Sequence, residues 1–122
     1  MTEKYFINLS NHPFSAWGAE QKEAAEAYGK IIEIPFPNIP PEWTKEEVKD
    51  LAEEYCRKVA QYPQATVMCQ GEFCFSYTVI SKLKEQGYRI VAACSNREVE
   101  EEMQGEQAVK RVVFRFVQFR EY

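Results

Sequence analysis

The sequence predicts a single α/β domain with a three-layer, Rossmann-like arrangement around a mostly parallel sheet. Apolar runs of strand length alternate with stretches of helical periodicity along most of the chain, which is typical of parallel strands joined by crossover helices. At 122 residues the chain is long enough for one hydrophobic core. Because crossovers are right-handed, a flavodoxin-like strand order is the simplest topology, ending in an antiparallel strand or hairpin.

The first half of the chain predicts two strands and two helices. Gly29 is a suitable residue to end the first helix, and the prolines that follow the second strand require an extended loop. Thr44 and Glu47 have the spacing of a capping box, which predicts where the second helix begins. In chain order these elements are a strand at 4–9, a helix at 16–28, a strand at 30–34 and a helix at 44–61.

The middle of the chain predicts two further parallel strands separated by one helix. The strand runs are short and almost entirely apolar, which is typical of strands buried on both faces. Gly87 is placed to end the helix. The three elements are a strand at 65–69, a helix at 71–86 and a strand at 89–94.

The C-terminal segment differs from the rest of the chain in its pattern of apolar and polar residues. Residues 98–106 are mainly acidic and polar, and residues 109–119 alternate only partly between apolar and polar. This pattern predicts one long strand, antiparallel to its neighbour and near a sheet edge or a dimer interface. Its expected faces are Val113, Val117 and Phe119 on one side and Phe114 and Phe116 on the other.

The bulk composition narrows the classes of function. A formal net charge of −4 argues against an extended surface for DNA or RNA. No apolar run approaches the roughly 20 residues that a membrane span needs, and the first residues lack the features of a signal peptide. The four cysteines form no C-x-x-C pair. We therefore expect a cytoplasmic protein with reduced thiols and no membrane association.

Four short polar patches each follow a strand-like run. An open parallel sheet binds its ligand beyond the carboxyl ends of its strands, so these patches predict the position of a binding crevice. They cover residues 10–13, 35–38, 70–72 and 95–98.

His12 is the single histidine, and it follows the first strand in a loop. It could act as a general acid or base or donate to a phosphate, although a ring packed on the loop is the plainer alternative. Ser10 and Asn11 could contact a ligand, but both are also ordinary turn residues. Trp17 could stack on a base, and core packing is the alternative that we favour.

Gln70, Gly71 and Glu72 join the third strand to the third helix. Gly71 permits the close approach of a ligand to the backbone, and the helix N-terminus offers free N–H groups to an anion. Glu72 could act as a base or accept from a ribose hydroxyl. Its plainer role is a favourable negative charge at the start of a helix.

Ser95, Asn96 and Arg97 are expected in a loop after the fourth strand. Arg97 is the best-placed phosphate ligand, because its guanidinium can hold two oxygens at once. The alternative is a surface ion pair between Arg97 and Glu98 or Glu72.

Two cysteines, Cys69 and Cys94, end strands that would be neighbours. Together with His12 they could form an incidental metal site, or Cys94 could be a nucleophile with His12 as its base. We adopt neither interpretation, because a metal site would need three well-oriented ligands. We expect no metal and no cofactor.

Two short motifs resemble those of a known group. NLSNHP at residues 8–13, with Gln21 in the following helix, resembles the N-x-S-x-H-P…Q opening of small CRISPR-associated Rossmann-like proteins, the group that senses cyclic oligoadenylates. FRFVQFREY at residues 114–122 is similar to the ending of small bacterial proteins that share this opening. The resemblance implies a homodimer whose crevices meet across a two-fold axis and bind a ring-shaped adenylate.

The resemblance also implies an activity. Some members of the group only sense the ring, and others cleave it without metal by aligning a ribose 2′-hydroxyl with the adjacent phosphate. As such an enzyme, the chain would stabilise charge with Arg97 and the Gly71 amide and move a proton with His12. By position, the residues that would contact the ring are Ser10, Asn11, His12, Gln70, Gly71, Ser95, Asn96 and Arg97.

Two alternative functions stay open at this point. The chain could be a non-catalytic interaction or scaffold protein that dimerises or binds a partner through the aromatic segment 114–122. It could also be a small phosphohydrolase or transferase that acts on an unrelated phosphorylated metabolite.

Overall fold

The computed structural model describes residues 3–122 as alternating strands and helices, in the order that the sequence predicts. A short 3₁₀ turn separates the first strand from the first helix. The elements are β1 (Tyr5–Ser10), the 3₁₀ turn (Phe14–Ala16), α1 (Ala19–Glu26), β2 (Lys30–Glu33), α2 (Lys45–Val59), β3 (Thr66–Gln70), α3 (Phe73–Glu85), β4 (Arg89–Gln104) and β5 (Gln107–Glu121).

The strands form one five-stranded sheet in the order β2-β1-β3-β4-β5. The pairs β1–β2, β1–β3 and β3–β4 are parallel, and β4–β5 is antiparallel. This confirms the mostly parallel sheet with a C-terminal antiparallel strand. Among the described residues, no helix is both long enough and apolar enough to cross a membrane.

Side-chain alternation along the strands places two apolar clusters on opposite faces of the sheet. Ile7 and Val67 belong to the larger cluster, which packs against α2 and α3. Phe6, Met68 and Val91 belong to the smaller cluster, which packs against α1. Because α1 has only eight residues, open space remains beside it on this face.

The start of α2 follows the predicted capping box. The Thr44 hydroxyl accepts a hydrogen bond from the Glu47 N–H at 3.3 Å, and the Glu47 carboxylate accepts from the Thr44 N–H at 3.3 Å. Two backbone donors that the helix cannot satisfy are thus paired. Val48 and Ala52 lie on the buried face of α2, as the periodicity predicts.

All three helices are shorter than predicted, and α1 and α3 begin two or three residues late for local reasons. α1 begins at Ala19 because the 3₁₀ turn and the extended Gly18 occupy the residues before it. α3 begins at Phe73, two residues later than predicted, because Glu72 is its N-cap. Gly29 follows α1 and lies against the Lys4 carbonyl, where a Cβ atom would overlap it.

The largest difference from the prediction is the length of β4, which was expected to end at Cys94. It runs to Gln104 and pairs with β5 through a two-residue loop. Gly105, the first residue of that loop, has a φ of 66°, and glycine at this position is typical of a type II′ hairpin turn. Residues 95–98 therefore lie within a strand rather than in a loop.

A β-bulge in β5 changes which aromatic side chains share a face. Cys94 pairs with Gln118 and Ser95 pairs with Phe116, so Val117 is the extra residue. The bulge interrupts the alternation, and the Phe116 and Phe119 rings contact each other with centroids 4.9 Å apart. The prediction that these two rings lie on opposite faces is wrong.

Candidate functional site

A groove of about 780 Å³ lies beside α1, on the face of the sheet that holds the smaller cluster. We call it the α1 groove. Its volume is within the range of small-ligand sites, roughly 300–1,000 Å³. Side chains from the loop after β1, from α1, from the sheet and from β5 line it. Its lining includes His12, Trp17, Gln21, Met68, Gln70, Ala93, Ser95, Phe114 and Phe116.

The loop after β1 is held by a buried polar network beneath His12. The His12 carbonyl accepts from Asn8 Nδ2 at 2.9 Å and from Trp17 Nε1 at 3.0 Å. Ser10 Oγ accepts from the His12 N–H at 3.2 Å and donates to Asn8 Oδ1 at 2.6 Å. The backbone of His12 is thus fixed, while the residue itself is exposed at the groove.

Glu33 completes this network, and sequence reasoning missed it. Its Oε1 accepts from the Phe14 N–H at 2.7 Å and from Asn8 Nδ2 at 3.4 Å. Parallel pairing places Glu33 beside Asn8 on the neighbouring strand. The sequence feature that could have indicated this role is a carboxylate that follows two isoleucines at the carboxyl end of β2.

Ser10 and Asn11 do not line the α1 groove. They border a separate cavity of about 550 Å³ together with Glu33 and residues 34–38. Ser10 is buried and its hydroxyl is used in the network under His12. The Asn11 N–H donates to the Gln70 carbonyl at 3.2 Å.

Trp17 is a buried core residue whose indole reaches the groove lining. Its ring meets the edge of Phe14 at 5.2 Å and the edge of Phe6 at 6.2 Å between centroids. Its indole N–H is already bonded to the His12 carbonyl. Trp17 therefore supports the groove from below.

Gln70 lines the groove, but both ends of its amide are engaged. Its Oε1 accepts from the Ala93 N–H at 2.7 Å, and its Nε2 donates to the Ala93 carbonyl at 3.4 Å. The backbone register between β3 and β4 ends at Met68 and Val91. The Gln70 side chain thus continues the connection between the strands by two residues.

Gly71 and Glu72 have structural roles at the start of α3. A Cβ atom on Gly71 would overlap the Phe36 ring, so the close approach that Gly71 permits is by a side chain of the protein. The Glu72 carboxylate accepts from the Phe75 N–H at 2.7 Å and the Cys74 N–H at 2.9 Å. The protein's own carboxylate thus occupies two of the helix donors expected for an anion.

The pKa of Glu72 reflects this cap. Partial burial raises the pKa of the carboxyl, but hydrogen bonds from the Phe75 and Cys74 N–H groups stabilise the charged form and lower the pKa below its usual value. Glu72 is therefore a charged helix cap.

Ser95, Asn96 and Arg97 all lie in β4, and only Ser95 lines the groove. Arg97 lies two residues further along the same face of the strand, opposite Phe114. The alternative ion pair of Arg97 with Glu98 or Glu72 is not found among the described residues. Glu98 binds Arg115 at 2.6 Å, and the Glu72 carboxylate caps α3. Arg97 thus sits at the outer end of the groove rather than in a loop.

The metal site of Cys69, Cys94 and His12 considered above has little support. Cys69 is buried, which raises the pKa of its thiol to about 12. Such a thiol stays protonated, whereas a metal ligand must be the thiolate. Within residues 3–122 no group of three metal-ligating side chains comes together.

The structure therefore brings His12, Gln70 and Ser95 to one groove, with Trp17 beneath them. It also adds two aromatic side chains that the sequence did not assign to a site, Phe114 and Phe116.

Comparison with curated proteins finds no match to this chain. A protein-family comparison matches residues 4–120 to the family described as the uncharacterized protein MJ1673 family. Because the match covers well over half of the chain, the chain belongs to the uncharacterized protein MJ1673 family.

Proposed function

We propose that this protein binds a nucleotide-like ligand in the α1 groove, in the cytoplasm, and that cyclic oligoadenylates are the first candidates. The observation that carries the proposal is the pairing of two surfaces in one groove. An exposed aromatic side chain lies on the β5 side, and the exposed His12 lies at the loop after β1.

The aromatic side suits a nucleobase. Phe114 is 67% exposed, so a face of its ring is free to stack. Phe116 is supported by Phe119 from behind. Stacking on an aromatic side chain contributes about 1–3 kcal/mol per base. Gln21 makes only a weak contact, 3.9 Å from Nε2 to the Met68 sulfur, so its amide can read the edge of a base.

The polar side chains of the groove, His12 on the loop after β1 and Ser95 and Arg97 on β4 beside the aromatic side chains, suit a phosphate. His12 can donate from its ring, and the Ser95 hydroxyl faces the same space. Arg97, at the outer end, takes part in none of the salt bridges found within residues 3–122. Its guanidinium is therefore available to hold two phosphate oxygens.

Cleavage of the ring is a further step of the same proposal. The ribose 2′-oxygen would attack the adjacent phosphorus while the bond to the 5′-oxygen breaks. His12 would move the proton, and Arg97 would stabilise the charge that develops on the phosphate oxygens. The Gly71 amide and Glu72 take no part in this step, because both residues serve the start of α3.

The domain architecture supports a groove at this position. We propose that the chain is a reduced three-layer Rossmann-like domain with a flavodoxin-like strand order, with α1 on one face and α2 and α3 on the other. In that arrangement the groove occupies a place on the α1 face that a further helix would otherwise cover.

The test is incubation of the protein with cyclic tri-, tetra- and hexa-adenylate, with and without chelator. Melting temperature reports binding, and chromatography reports products. We expect a rise in melting temperature that His12→Ala reduces and Asn11→Ala, in the neighbouring cavity, leaves unchanged. Chelator-resistant linear products would establish cleavage.

Two results would contradict the proposal. The absence of both a melting shift and products with all three rings would overturn it. A shift or turnover only with an unrelated phosphorylated metabolite would favour the phosphohydrolase alternative instead.

A further inference from the structure

The outer halves of β4 and β5 form a two-stranded arm, residues 96–104 and 107–115. Pairing between β3 and β4 ends at Met68 and Val91, so in the described chain these residues pair only with each other. Nine residues of strand extend about 30 Å. A two-stranded ribbon of this kind is marginally stable in water unless a face of it is covered.

On one face of the arm, charged side chains of β4 form ion pairs with charged side chains of β5. Arg115 binds Glu98 and Glu100, and Arg111 lies 3.8 Å from Glu100 and 3.9 Å from Glu102. These cross-strand pairs compensate their charges without any partner. This face can therefore remain in contact with water.

The other face carries exposed apolar side chains among the charged residues Arg97, Glu101 and Lys110, and we call it the apolar arm face. Val99 and Val112 pair at its centre and are 53% and 44% exposed. Phe114 lies next to Val112 and is 67% exposed, and Met103, beyond Glu101 and Lys110, is 66% exposed. Val99, Val112 and Phe114 form an exposed apolar stripe, and such a stripe marks an interaction surface.

We propose that a second copy of this chain covers the apolar arm face, with the two arms stacked face to face and antiparallel about a two-fold axis. This contact would take up Arg97 and Phe114, which the proposed function assigns to the ligand, so the dimer and the ligand-bound groove are alternative states of the same surface. The symmetry would place the Val99–Val112 pair of each copy at the centre of the contact.

Charge complementarity argues for this occupant and this register. Arg97 and Glu101 lie two residues before and two residues after Val99, on the same face of β4. When β4 stacks on its antiparallel copy, Arg97 faces the partner subunit's Glu101, and the reverse pair forms at the other end. Such reciprocal contacts are what an isologous interface requires.

The same symmetry fits β5. Lys110 and Phe114 lie two residues to either side of Val112. Lys110 therefore faces the partner subunit's Phe114, in an arrangement that permits a cation–π contact. The charged and aromatic residues of this face are thus matched by its own copy.

Sedimentation velocity of the full chain tests the proposal. We expect a particle of twice the 14.3 kDa chain mass. Val112→Glu should raise the dimer dissociation constant by about tenfold or more, because it places a carboxylate at the centre of an apolar contact. The matched control is Val117→Glu on the same strand, at a residue that is 55% exposed but outside the stripe, and it should leave the mass unchanged.

A charge exchange tests the register. Glu101→Lys alone should weaken the dimer, and adding Arg97→Glu should restore it. Far-UV circular dichroism checks that each variant is folded. A monomeric wild type, or equal effects of the two valine substitutions, would overturn the proposal, and failure of the exchange to restore the dimer would overturn the register.

Discussion

The body of the protein, from β1 to the inner part of β4, and the arm use apolar residues in opposite ways. In the body, β1 and β3 have neighbours on both sides and bury their side chains against helices. In the arm, two strands carry valine, methionine and phenylalanine on an open face. The body can account for its own stability, whereas the arm is suited to contact another molecule.

Replacing a phenylalanine by alanine in each region should give the largest difference in the free energy of unfolding. Phe75 is fully buried and meets Phe36 and Tyr55 edge to face, while Phe114 is exposed on the arm. Phe75→Ala should lower the free energy of unfolding by about 3–5 kcal/mol through the cavity that it leaves. Phe114→Ala should change it by no more than about 0.5 kcal/mol in the monomer.

Urea unfolding measures both variants, at one protein concentration low enough to keep the arm unpaired. Equal losses of stability in the two variants would show that the arm is part of the folded core. The contrast between the two regions would then be wrong.

The polar network under His12 should give the next largest effect. Asn8 is buried and donates to the His12 carbonyl, so Asn8→Ala leaves buried polar atoms of Ser10 and His12 short of a partner. We expect a loss of about 1–3 kcal/mol. The control is Asn96→Ala on the arm, where an exposed amide is removed and the change should stay within about 0.5 kcal/mol.

A further prediction concerns the pH dependence of the α3 cap. The folded-state pKa of Glu72 is lowered, so its contribution is present above the unfolded value and is lost as the pH falls through the folded value. Glu72→Ala should cost about 1 kcal/mol near neutral pH, and this cost should shrink below the ordinary pKa of 4.5. Denaturation at several pH values measures it.

The control for this prediction is Glu54→Ala, which removes an exposed carboxylate from α2. It should leave the free energy of unfolding within about 0.5 kcal/mol at neutral pH. A cost at Glu72 that does not change with pH would mean that its carboxylate does not cap α3.

Much of the body could be predicted because its signals are local. The capping box of Thr44 and Glu47 depends on residues that are near in sequence. The order of strands followed from their alternation with helices. The loop of His12 was placed at the correct edge of the sheet by the same reasoning.

The arm could not be predicted in the same way. Residues 95–98 have the polar composition of a loop, and they become strand only because β5 pairs with them. The bulge at Val117 sets which faces Phe114 and Phe116 occupy. No local pattern encodes such a register, so the sequence did not indicate that Phe114 and Phe116 line the groove.

Hydrogen exchange at two protein concentrations tests the central contrast most directly. We expect the amides of residues 96–104 and 107–115 to gain protection as the protein concentration rises, while those of β1 and β3 do not change. Protection of the arm that is independent of concentration, and equal to that of β1 and β3, would contradict the difference between the body and the arm.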